Sequence, residues 1–146
     1  MTTQKNVWRI SLIISILLYT ASLTQDCFYA KENCYNSAFV LVVGWLSVPC
    51  LGANLAWLAN PLLFISWLSF KHSRKVSLIL NVAAVCFAFL FLLFTKVTVG
   101  EDGGKDIIGE YKPGYWLWLS SCLVMLSGNC INFYLDKRKD RANAPS

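Results

Sequence analysis

The chain of 146 residues has room for one domain, and it is apolar: 56% of its residues are hydrophobic and 14% are charged. Soluble domains carry about 25% charged residues, and here the charges lie between long uncharged runs, which disfavours a soluble helical protein with polar faces. The net charge of +5 comes from short basic clusters at the ends of apolar runs. No segment could form the basic face of a nucleic-acid-binding domain. Composition therefore predicts an integral membrane protein, and its expected partners include the lipid bilayer.

The first apolar segment runs from Ile10 to Leu23, directly after Arg9. With Trp8 and Thr24 it reaches about 17 residues, the lower limit for crossing hydrocarbon. A basic start, a short apolar stretch and small residues also fit a secretory signal peptide. The cleavage region is weak, so we expect an uncleaved span at about residues 8–24.

The second apolar segment, Ala38–Phe70, is too long for one crossing. As a single helix it would measure about 50 Å, against roughly 30 Å of hydrocarbon. Pro49 and Gly52 weaken a helix at that point. We therefore predict a separate apolar helix at about 38–48, at the outer interface or packed on the bundle, followed by a crossing at about 54–70. A single long, kinked helix is the competing prediction.

Pro61 lies inside this crossing and is a third candidate for a helix break. Because proline has no N–H group, it leaves the backbone carbonyl of Trp57 without its helical partner. In a membrane that carbonyl needs another donor. Asn60 and Asn54 are the nearest candidates.

Two further spans are predicted at about 76–95 and 115–135, and charge decides the topology. If residues 38–70 cross once, all three basic clusters lie on the cytoplasmic side, as basic residues near membrane spans usually do. The clusters are Lys5 and Arg9, then Lys71, Arg74 and Lys75, and finally Lys137, Arg138, Lys139 and Arg141. The fold class predicted is all-α: one domain, 1–146, forming an integral four-helix bundle in the inner (plasma) membrane, with both termini cytoplasmic and small loops outside.

Two cysteines, Cys27 and Cys34, lie in the first outer loop, where a structural disulfide is plausible. A redox-active pair is the alternative, because some four-helix membrane oxidoreductases carry cysteines in this loop. Those enzymes use closely spaced CxxC pairs, and the spacing here is wider, so we favour a structural role. With a single histidine, His72, in the sequence, we expect no metal site and no cofactor.

Five asparagines lie within or at the ends of the predicted spans. They are Asn54, Asn60, Asn81, Asn129 and Asn132. Such side chains usually hydrogen-bond between helices, and we prefer this role to a polar pathway for an ion or solute. Ser11, Ser15 and Ser22 share one face of the first helix and predict close helix packing there. In the second outer loop, which we expect to be a solvated hairpin or turn, the VTV and DII segments could pair briefly.

The sequence contains the motifs GWL, WLANPLLFISW and YKPGYWLWLSS, with a basic turn between the last two, within the region from Val43 to Leu126. Their combination resembles small uncharacterised bacterial four-helix membrane proteins. That likeness implies an inner-membrane location and no assigned activity. No functional residue is carried over from it.

The expected function is non-enzymatic: an accessory, immunity-type or scaffold protein that contacts itself or another membrane protein. The alternative is a small oligomeric channel or transporter lined by the asparagines. A thiol oxidoreductase using Cys27 and Cys34 is the third hypothesis.

Overall fold

The computed structural model describes residues 2–30, 33–98 and 105–142. It is mostly helical, at 77%. The α-helices are α1 (Thr2–Leu23), α2 (Ser37–Val43), α3 (Ala59–Ser69), α4 (Arg74–Leu90) and α5 (Pro113–Ala142). The strands are β1 (Asp26–Ala30), β2 (Asn33–Asn36), β3 (Lys96–Thr98) and β4 (Lys105–Tyr111), and the 3-10 helices cover Gly44–Cys50, Gly52–Leu58 and Phe91–Leu93.

Helices α1, α3, α4 and α5 form a bundle in which α5 packs between α1 and α4, and α4 packs on α3. One end of the bundle holds the start of α1, the end of α5 and the short turn between α3 and α4. The opposite end holds the four strands and a continuous apolar helical segment, Ser37–Cys50, which we name the cap helix. The strands and the cap helix together are called the cap.

Three helical segments of the described chain are long and apolar enough to cross a membrane: Asn6–Leu23, Arg74–Leu93 and Pro113–Lys139. They overlap the spans predicted at 8–24, 76–95 and 115–135. The span predicted at 54–70 differs from these three. It consists of the 3-10 helix Gly52–Leu58 followed by α3, which has 11 residues. Pro61 lies at the third residue of α3, where the missing N–H group costs little.

The long second segment is broken between the cap helix and the 3-10 helix that follows it. Leu51 and Gly52 have φ angles of 57° and 65°, in the left-handed region that glycine adopts freely and leucine rarely does. The break lies next to Pro49, so residues 38–70 form two segments and not one kinked helix. The predicted separate helix at 38–48 corresponds to the cap helix.

The prediction of an all-α fold is wrong in one respect, because the two loops at the cap end form a four-stranded antiparallel sheet in the order β2-β1-β4-β3. Val97 pairs with Asp106, as expected from the VTV and DII segments. Phe28 pairs with Tyr111, which joins the first loop to the second. A contact so distant in sequence leaves no local pattern to reveal it.

Aromatic rings connect this sheet to the bundle. The Phe91 ring lies 5.5 Å from that of Phe28 and 5.6 Å from those of Tyr111 and Tyr115. Tyr115 is fully buried, and its hydroxyl donates to the Ala88 carbonyl at 2.9 Å. The sheet is therefore anchored on α4 and α5 by apolar packing and a buried hydrogen bond.

The small residues predicted on one face of α1 lie against α5. The Ser15 hydroxyl donates to the Ser121 carbonyl at 2.8 Å. A methyl group on Gly128 would stand 2.5 Å from the Ser11 Cβ, so the close approach of the two backbones depends on this glycine.

We expect Gly128→Ala to lower the free energy of unfolding by about 1–3 kcal/mol, because the added methyl group forces α1 and α5 apart. Unfolding with an anionic detergent, followed by helical circular dichroism, measures this change. Ser127→Ala, one residue away on an exposed position, is the matched control and should change it little. Equal stability of the two variants would contradict the close contact.

Candidate functional site

A cavity of about 570 Å³ lies between the bundle and the cap. Its walls come from the cap helix, the end of α1, the first half of β1, the 3-10 helix Gly52–Leu58, β3 and the start of α5. Most of the lining is apolar, and the described lining residues include no charged side chain. This volume falls in the range of about 300–1,000 Å³ that is usual for small-molecule sites.

One wall of the cavity is set by the contact of the cap helix with Trp57. The Trp57 Nε1 donates to the Leu41 carbonyl at 2.9 Å. A methyl group on Gly44 would stand 2.5 Å from the Trp57 Cδ1. Only glycine at position 44 leaves room for the Trp57 ring, so the GWL motif allows the cap helix to pack against the 3-10 helix.

Asn60 lies at the bundle side of the cavity and joins three segments. Its Oδ1 accepts hydrogen bonds from the Tyr19 hydroxyl and the Trp118 Nε1, each at 2.9 Å. Its Nδ2 donates to the Trp57 carbonyl at 3.1 Å, the group that Pro61 was expected to leave without a helical partner. Asn60 thus links α1 and α5 to its own segment.

Of the five predicted asparagines, only Asn54 and Asn60 line the cavity. Asn129 lies between α5 and α4, where its Oδ1 accepts from the Ser77 hydroxyl at 3.3 Å. Asn132 donates to the Gly128 carbonyl of its own helix at 2.8 Å. The structure therefore distributes these side chains over several levels of the bundle.

Among the five predicted asparagines, Asn54 and Asn81 have a buried amide nitrogen that lacks a partner. Asn81 is 0% exposed, and neither its Nδ2 nor its Oδ1 has a hydrogen-bond partner. Asn54 is 6% exposed, and its Nδ2 has none. Buried polar groups of this kind are rare, and each one calls for an explanation.

The two cysteines of the first loop are free thiols. Cys27 lies at an irregularity of β1 and lines the cavity, whereas Cys34 is exposed and pairs with Tyr29. Cys34 thus lies opposite Tyr29 and not opposite Cys27, which has no Cα partner in the ladder. Both thiols are free here, and the disulfide stays a prediction.

Burial raises the pKa of the Cys27 thiol well above its ordinary value. At neutral pH this thiol is therefore protonated, and the thiolate is the reactive form. The geometry thus gives the redox hypothesis little support. The other four cysteines, which lie in the apolar segments, are also free thiols: Cys50, Cys86, Cys122 and Cys130.

Sequence reasoning missed Tyr19, Trp118 and Trp57 as polar contacts of the bundle. Tyr19 lies four residues after Ser15 and three before Ser22, so it shares the face of α1 that the serines mark. That periodicity could have revealed Tyr19. No comparable pattern indicates the cavity, because it depends on how the cap lies over the bundle.

Comparisons of the chain with protein-family models, with curated proteins and with solved structures gave no match. The candidate site is accordingly interpreted from its own geometry. It is a partly open apolar cavity with one asparagine whose amide oxygen and nitrogen both have partners, Asn60, and one asparagine with an unpaired amide nitrogen, Asn54. Such a site is suited to binding and offers polar groups only to orient what is bound.

We expect Asn60→Leu to lower the free energy of unfolding by about 2 kcal/mol or more, since the Tyr19 hydroxyl and the Trp118 Nε1 would lose their acceptor. Asn81→Leu is the matched control, because it removes an asparagine of similar burial that forms no hydrogen bond. It should leave stability unchanged or raise it. The same detergent-unfolding assay compares the two. A larger loss from Asn81→Leu would contradict the role given to Asn60.

Proposed function

We propose that the chain is a small multi-pass protein of the inner (plasma) membrane that acts without catalysis, through contacts made in the membrane. The main observation in support is that the helices have apolar side chains on the outside of the bundle and polar side chains on the inside. Large apolar side chains point outward from them, including Ile13, Leu17, Leu68 and Ile79, which are all more than half exposed. Polar side chains point inward: Ser15, Ser66, Ser77, Asn81 and Ser121 are 0% exposed. This arrangement is stable where lipid, and not water, surrounds the helices.

The short second crossing is compatible with this proposal. Its seven 3-10 residues rise about 2.0 Å each, and its 11 α-helical residues rise about 1.5 Å each. Together they cover about 30 Å, which equals the usual hydrocarbon thickness. The tighter 3-10 helix thus lengthens a segment that an α-helix of 18 residues would leave a few ångströms short.

The orientation is proposed from charge. The basic clusters flank the end of the bundle that holds the start of α1 and the end of α5, and the positive-inside tendency would make that end cytoplasmic. There Arg74 forms an ion pair with Asp136, which joins α4 to α5. The cap would then lie outside, with an exposed apolar row on the cap helix that includes Phe39, Val42 and Trp45.

Contact with another membrane protein, in an accessory, immunity-type or scaffold role, is the function we favour. The exposed row of the cap helix offers a surface for such a contact, and the hydrogen bonds of Asn60 support a closed bundle.

A small oligomeric channel or transporter is the second candidate, and Asn81 favours it. Both polar atoms of its amide lack a partner in the described structure, as a group that contacts water in another state would. However, Asn81 is fully buried, in a helix that packs on both α3 and α5. Water would reach it only if these helices separated.

Topology can be tested with single cysteines in a variant that lacks the others. We expect Cys34, exposed in the cap, to react with a membrane-impermeant maleimide in intact bacterial spheroplasts. His72→Cys, exposed in the turn between α3 and α4, should react only after the membrane is permeabilised. Equal labelling of both positions in intact spheroplasts would contradict the proposed orientation.

The contact and channel hypotheses differ in oligomeric state and conductance. We expect the purified protein in nanodiscs to have the mass of a monomer or small complex. In planar bilayers it should conduct no ions, because the Asn60 amide is hydrogen-bonded to protein groups and does not line a water-filled pore. Native mass spectrometry and bilayer recordings provide the two measurements. A ring of several copies with a conductance that Asn81→Leu abolishes would overturn the contact hypothesis.

A further inference from the structure

We propose that the cavity beneath the cap binds a single acyl chain whose uncharged polar group, such as an ester or amide carbonyl, accepts a hydrogen bond from Asn54. This inference rests on the proposed membrane location, because the ligand would enter from lipid. It adds a ligand to a protein otherwise proposed to act only by contact.

The first argument is the shape and lining of the cavity. At about 570 Å³ it is large enough for a small ligand. Its walls include Ala53 and Ala56 of the 3-10 helix and Val40 and Leu46 of the cap helix. The small alanine side chains leave the space that larger residues would fill. An apolar chain is the occupant that such walls favour.

The second argument is the unpaired amide of Asn54. Its side chain lines the cavity, is 6% exposed, and has an Nδ2 without a partner. Protein atoms cover this nitrogen in the observed rotamer. Rotation about χ2, which is soft for an amide, would turn the donor toward a bound molecule. A carbonyl acceptor on the ligand would then satisfy a group that the protein leaves unpaired.

The third argument is charge. The described lining residues include no lysine, arginine, aspartate or glutamate. A carboxylate or phosphate placed inside would lie in apolar surroundings without a counter-ion, which is strongly unfavourable. The part of the ligand that enters is therefore uncharged, and any charged headgroup stays at the cavity mouth.

The chain could come from a bilayer phospholipid or from a free monoacyl lipid, since both carry an ester-linked acyl chain. Exposed Phe39 and Leu46 belong to the lining, so the cavity has an apolar edge at the surface. An acyl chain can pass over this edge from the surrounding lipid.

The test uses the full chain in nanodiscs and two photoactivatable probes that carry a diazirine on the acyl chain. One probe is a monoacylglycerol and the other is a phosphatidylethanolamine. After irradiation, mass spectrometry maps the labelled residues. We expect saturable labelling of the cap helix and of Gly52–Leu58. Labelling by the monoacylglycerol alone would identify a free amphiphile, and labelling by the phosphatidylethanolamine would identify a bilayer lipid.

Four variants sharpen this test. Asn54→Leu keeps the number and branching of the side-chain heavy atoms and removes the donor. Labelling should therefore weaken about tenfold, as expected for the loss of one buried hydrogen bond. Ala56→Phe fills the cavity and should abolish labelling, and Ala53→Leu is a milder version for use if Ala56→Phe does not fold. Asn81→Leu, another buried asparagine that does not line the cavity, should label like the unaltered chain.

Labelling confined to outward-facing positions such as Ile79, or labelling that neither Asn54→Leu nor the filling variants reduce, would overturn the inference. Size-exclusion chromatography and helical circular dichroism confirm that each variant is folded. The cysteine-labelling experiment separates the two proposals. If the topology is as proposed but the cavity is not labelled, only the ligand is wrong. If the chain does not insert, both proposals fail.

Discussion

Asn60 is the residue on which the arrangement of the bundle depends most. Its amide accepts from Tyr19 of α1 and Trp118 of α5, and it donates to the Trp57 carbonyl of its own segment. An amide has both donors and acceptors, so one side chain can satisfy groups from three segments. In apolar surroundings each of these groups would cost free energy if it had no partner. The hydrogen bonds therefore fix the positions of the three segments relative to one another.

The cap depends on these positions. Trp57 is bonded to Asn60 through its carbonyl and to the cap helix through its indole nitrogen. The same residue therefore fixes the bundle on one side and the cavity wall on the other. Gly44 permits the contact, and the break at Leu51 and Gly52 turns the chain between the two helices. A substitution of Trp57 would therefore disturb both the bundle and the cavity wall.

The five asparagines show why residue type alone is a weak guide to role. Asn60 is fully bonded, Asn129 bonds to Ser77, and Asn81 has no partner although it is as deeply buried. All five looked alike as polar residues in apolar runs. Only their neighbours on other helices separate a structural contact from an unpaired donor. The functional proposals rest on that distinction. Asn54 is proposed as a donor to a ligand because its unpaired amide lines the cavity.

Local features of the sequence determined the apolar segments, the break near Pro49 and Gly52, and the need of the Trp57 carbonyl for a new partner. These follow from segment length and from the missing N–H group of proline, which act within a few residues. Tertiary structure alone decided the pairing of Phe28 with Tyr111, the position of the cap helix and the cavity. Strand pairing and enclosed volume depend on segments far apart in the chain, where no sequence period records which surfaces will meet.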